Sequence, residues 1–162
     1  MKNASVMRAL LLAVLTSLSI SACGQLWNPA NNKLSAATLT SLEQADQFEL
    51  LVLRPAPMEK GNFHGYKVLA TTRIEEAETR KNLISALVQS THESKGDAAL
   101  CFNPRHGIRA TTQGKHADLV ICFECLQMKV YAEGDELLLI TSSPQTLFNR
   151  VLKQRGIAPP SR

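Results

Sequence analysis

Aromatic side chains make up only 5% of the 162 residues, too few for a platform on which bases or sugar rings would stack. Basic residues exceed acidic ones by a formal +4, which falls to +2 when Lys2 and Arg8 are set aside with the N-terminal leader. A field that weak does not point to nucleic acid as a partner. The chain has no Gly-rich phosphate loop, no Gly-x-Ser-x-Gly turn, no His-Glu-x-x-His and no internal repeat. None of the reaction classes that those motifs announce is supported, and no residue is marked as catalytic. What the chain does have is 44% hydrophobic residues, enough for one ordinary domain to bury a core.

The apolar residues are unevenly placed. Residues 1–23 combine a short basic stretch with Lys2 and Arg8, an apolar run from Ala9 to Ile20, and small residues ending at Cys23. This is the build of a secretory signal, too short and wrongly flanked for a structural membrane span. The closing residues Ile20-Ser21-Ala22-Cys23 resemble the lipobox of bacterial lipoproteins. That resemblance implies removal of residues 1–22, lipidation of Cys23 by a diacylglyceryl group with an N-linked third chain such as palmitate, and attachment of the domain to a membrane. At about 0.8 kcal/mol per buried CH₂, such chains hold a protein on a bilayer. In that class an aspartate after the lipidated cysteine retains the protein at the inner membrane. Gly24 stands there, so the resemblance implies the periplasmic face of the outer membrane. Residues 23–33 are polar and turn-rich and read as a lipidated tether, with a single domain over 34–162.

Within that domain, residues 34–46 carry an irregular helical pattern. Residues 48–54 and 66–74 read as two strands that pair antiparallel. From Glu75 the period changes, and Ala77, Arg80, Leu83, Ile84, Leu87 and Val88 line one face of a helix. Residues 107–112 and 117–122 flank a turn at 113–116. Residues 128–132 turn at 133–135 and return as 137–141, giving an antiparallel meander. Ser143-Pro144 then reads as a cap and first helical position, with Leu147, Phe148, Val151 and Leu152 facing inward and Gly156 ending the helix. The expected class is α+β, a mainly antiparallel sheet with two helices packed on one face.

The chemistry gathers in residues 101–125, which hold Cys101, His106, Cys122 and Cys125. With Cys23 lipidated, three cysteines remain in an oxidising compartment, an odd number. One reading is a disulfide from Cys101 to Cys122 or Cys125, with the leftover thiol buried; closing a loop of about 22 residues would stabilise by about 3 kcal/mol. A second is a tetrahedral zinc site of Cys101, His106, Cys122 and Cys125. A third is thiol exchange by Cys122-x-x-Cys125, although residues 126–132 read as strand where thioredoxin-like proteins open a helix. Arg105 and His106 are candidates for a small anion or carboxylate site, unless Arg105 pairs with Glu124 or Asp118. His64, His92 and His116 fall in loop contexts and are expected at the surface.

Side chains alternate along a strand, so Cys122 and Cys125 point to opposite faces unless the chain bends between them. A bend at Phe123-Glu124 would bring all three sulfurs together, and clustering is the expectation. Cys101-Phe102-Asn103-Pro104-Arg105-His106-Gly107-Ile108, followed by Asp118-Leu119-Val120-Ile121-Cys122-Phe123-Glu124-Cys125, resembles a Cys/His block of uncharacterised bacterial proteins. It implies no activity. The functional expectation is a lipid-anchored cell-envelope protein, a non-enzymatic binding or structural domain whose partner is a protein or small molecule. The alternative is a metal-binding or thiol-redox protein using the same cluster.

Overall fold

The computed structural model describes residues 31–56 and 60–161. The leader, Cys23 and Gly24 lie outside them. The chain runs α1 (Ala36–Glu43), β1 (Gln47–Leu53), β2 (Val68–Arg73), α2 (Ala77–Glu93), β3 (His106–Thr112), β4 (Lys115–Cys122), β5 (Gln127–Tyr131), β6 (Asp135–Leu139) and α3 (Gln145–Gln154). The strands form one open six-stranded antiparallel sheet in the order β2-β1-β3-β4-β5-β6. Because β2 and β3 are each antiparallel to β1, they run parallel to one another, and α2 carries the chain between them.

There are three helices rather than two. The irregular pattern at 34–46 does form one, because Ser35 caps it by accepting the Thr38 N–H at 3.1 Å and Leu42 gives it a buried anchor. All three helices cover the same face of the sheet. Leu42 from α1, Leu83, Ile84 and Leu87 from α2, and Phe148, Val151 and Leu152 from α3 join Phe48, Leu50, Ile108, Leu119, Ile121 and Val130 in one core. The α3 cap also differs by one position. Pro144 is itself the N-cap and Ser143 bonds Thr141 instead, so the hydroxyl does not serve the helix. At the other end Gly156 takes φ +72°, Gly156 N–H donates to Lys153 O, and Ile157 N–H donates to Leu152 O. This is a Schellman stop, with Ile157 packed back on the core.

The β3–β4 turn is tighter than the four residues read from composition. Gln113 and Gly114, at φ +51° and +79°, form a two-residue hairpin with Thr112 opposite Lys115. The folded unit also reaches back into the stretch read as tether. Asn32 is buried; its side-chain amide donates to Thr91 O and Leu139 O, each at 2.8 Å, and its carbonyl accepts from Leu139 N–H at 2.8 Å. One side chain thus fastens the chain to the outer edge of β6 and to the end of α2.

The second face of the sheet has its own smaller cluster of Leu51, Leu53, Phe63, Tyr66 and Val120, roofed by the loop before β2 and by Phe102. Phe63 reaches the sheet because β3 has no side chain at Gly107. A Cβ there would stand 2.9 Å from Phe63 Cε1 and 3.3 Å from Leu119 O. Gly107→Val should therefore lift the Phe63 loop and cost about 1–3 kcal/mol, measured as a fall in the urea midpoint. An unchanged midpoint would mean that this roof is not docked.

Candidate functional site

Cys122 ends β4 and Gln127, its cross-strand partner, begins β5, so residues 123–126 are the whole turn between them. Leu126 takes φ +56° to close it. The bend at Phe123-Glu124 therefore occurs, and Cys125 swings back beside Cys122. These two form a disulfide. The pairing corrects the expected bridge from Cys101 to one of them: a tight turn sets two cysteines three apart within bonding distance, and no long loop has to close. The extended segment 98–105 runs alongside this turn. Ala99 N–H donates to Cys125 O at 3.0 Å, Gln127 Nε2–H donates to Ala99 O at 2.6 Å, and Asn103 N–H donates to Cys125 Sγ at 3.3 Å.

Those contacts place Cys101 Sγ 4.0 Å from Cys125 Sγ. The three sulfurs cluster. The free thiol, expected to be buried, is exposed instead, whereas Cys122 and Cys125 are 1% exposed. Cys125 N–H donates to Cys122 Sγ at 3.1 Å, and Asn103 O lies 3.3 Å from the same sulfur. A bridged sulfur has no hydrogen to give, so the second of these is a contact that becomes a hydrogen bond only when Cys122 is a thiol.

His106 goes elsewhere. It opposes Ile121 on β4 and shares that residue's helix-covered face. Its Nε2–H donates to Asn149 Oδ1 at 2.9 Å, and its ring meets Phe123 and Phe148 edge-on at 5.2 and 5.9 Å. Burial pushes its pKa down to about 4, helped by the Arg105 charge and opposed by the Asn149 bond and Glu124. Among the described residues no group of three or more His, Cys, Asp or Glu side chains is placed to hold a metal ion. Of the four residues read as a zinc set, Cys122 and Cys125 are bonded to one another and His106 is turned toward α3. Arg105 does not join His106 at the surface either. It lies 3.5 Å from Glu124 across the turn, and its Nε is buried without a hydrogen-bond partner.

A second constellation sits on the opposite face. Arg109 grips Asp118 through Nε at 2.9 Å and Nη2 at 2.6 Å, and the His64 Nε2–H donates to the same carboxylate at 2.8 Å. Asp118 is buried and holds the Arg109 pKa above its usual value. His64 takes φ +50° and stacks on Tyr131 at 3.8 Å, and it is exposed, as His92 and His116 are. Arg109 also lies over the Phe63 ring at 5.0 Å. Every polar partner here belongs to the sheet or to the roofing loop, so the cluster pins the loop.

Compared with protein-family models, with curated proteins and with solved structures, the chain matches none. No helix among the described residues is long and apolar enough to cross a membrane.

Proposed function

We propose that this chain is a lipid-anchored domain of the bacterial cell envelope, held by Cys23 on the periplasmic face of the outer membrane, with a binding or structural role. The observation that supports it is the lipobox-like run Ile20-Ser21-Ala22-Cys23 after a basic and apolar leader; the clamp at Asn32 ties the folded unit to the chain nine residues after Cys23. Nine residues reach at most about 30 Å, comparable with the width of a small domain, so an acylated Cys23 would keep Asn32 within that distance of the membrane surface. The binding surface is the 98–105 segment, where Leu100 is fully exposed beside Cys101 and no core contact accounts for it. Its partner is a protein or a small molecule with an apolar group to lay on Leu100.

Cys23→Ser should give protein that is unprocessed or unlipidated and that leaves the membrane fraction, because the thioether at Cys23 is the route to the diacyl anchor. Metabolic labelling with radioactive palmitate and membrane fractionation read this out. Labelling equal to the parent's would sink the lipoprotein reading.

A further inference from the structure

We propose that Cys101 is the exposed relay thiol of a three-sulfur exchange centre, passing the oxidising equivalent of the buried Cys122–Cys125 disulfide to an external dithiol, a cysteine pair in an extended polypeptide. The proposal does not depend on the anchor; it stands on the placement of the sulfurs. A buried disulfide is shielded from an external thiol, because the attacking thiolate must reach a sulfur directly. Here both bridged sulfurs are shut off, while a free and exposed sulfur of the same chain stands 4.0 Å from one of them. Outside and inside are connected through Cys101.

The first step is an isomerisation and needs no added oxidant. Cys101 gives its proton to solvent, and its thiolate attacks Cys125 Sγ. The Cys101–Cys125 bond forms as the Cys122–Cys125 bond breaks, and Cys122 leaves with the electron pair. The leaving sulfur is served on both sides. Cys125 N–H points at it from 3.1 Å to stabilise the thiolate, and once it takes a proton from solvent it can donate to Asn103 O, 3.3 Å away. In the new bridge one sulfur, that of Cys101, faces solvent.

An external thiolate then attacks Cys101 Sγ, forming a mixed disulfide and releasing Cys125 as a thiolate beside the Asn103 N–H. The second thiolate of the same dithiol attacks the external sulfur of the mixed disulfide and displaces Cys101. The external dithiol has lost two electrons and two protons to become a disulfide, and Cys122 and Cys125 have gained both as thiols. An external disulfide drives the sequence backward and restores the bridge. Leu100, fully exposed next to Cys101, offers an apolar rest for the residue flanking a peptide cysteine, which favours a polypeptide as the dithiol.

The test uses the full chain purified in detergent, with thiols alkylated and disulfides mapped by mass spectrometry. In Cys122→Ser, oxidised glutathione is expected to yield a Cys101–Cys125 bridge and no alkylatable Cys101. In Cys101→Ser, reduction of the Cys122–Cys125 bridge by a synthetic peptide with two cysteines is expected to be at least about tenfold slower than in the parent. Cys101 fully alkylatable in a Cys122→Ser protein that melts like the parent would overturn the proposal. So would equal reduction rates for Cys101→Ser and the parent. If Cys122→Ser does not fold, the rate comparison decides, since Cys101 is exposed and serine leaves the core intact.

Discussion

Phe148→Ala is expected to lower stability by about 3–5 kcal/mol, a large part of what holds a domain of this size together. Phe148 is 0% exposed and makes an edge-on triad with His106 and Phe123, its own ring 5.2 Å from that of Phe123. Truncation removes the ring's transfer energy and leaves a cavity between α3 and the β4–β5 turn that neither can collapse into, because the turn is closed by a disulfide. Urea unfolding followed by circular dichroism measures it. The same truncation at Leu147, on the same helix but only partly buried, should cost clearly less. Equal losses at the two positions would mean that α3 docks with a different face than the one described.

Acid should weaken the fold through His106. Buried beside Phe123 and Phe148, its imidazole titrates at about 4 in the folded chain, against an ordinary value near 6.5 once unfolded. Between those values the unfolded state binds the proton and the folded state does not. Stability is therefore intact above about pH 6.5, falls as the pH drops toward 4, and levels off below, for a total of about 3 kcal/mol. Arg105 and Glu124 are the charges that act on the ring, with opposite signs. His106→Gln keeps an amide donor for Asn149 and cannot titrate. Unfolding free energies at pH 7 and pH 4 should differ by about 3 kcal/mol more in the parent than in this variant. Parallel slopes would mean that the ring is not held neutral.

The two experiments are linked. Phe148 is part of what keeps water from His106, so Phe148→Ala should also move the His106 pKa up toward its ordinary value and flatten the pH dependence. That coupling gives α3 a role that periodicity alone did not assign to it, as the wall of a neutral histidine.

The candidate site was legible in its residues and less so in its geometry. The crowding of Cys101, Cys122 and Cys125 into one block, and the condition that a bend at Phe123-Glu124 would gather them, followed from strand alternation. Which two would bond did not follow, because that depends on a turn conformation set by Leu126 at positive φ. The Arg109–Asp118 pair was hidden by register. A four-residue turn would set Arg109 opposite Val120, whereas the two-residue turn sets it opposite Asp118. A slip of two keeps every side chain on its face and changes every partner.

From its own order of residues, the chain determined the strands, the amphipathic α2 and α3, the stop at Gly156 and the concentration of thiols, because hydrophobic period and turn chemistry act over a few neighbours. Tertiary structure alone decided that α1 packs as a third helix, that Asn32 belongs to the folded unit, and that His106 turns to the helices while Cys101 stays outside against a closed bridge. Each of these depends on which distant segment lies across the sheet, and no local pattern carries that information, because burial and pairing are properties of the second segment as much as of the first.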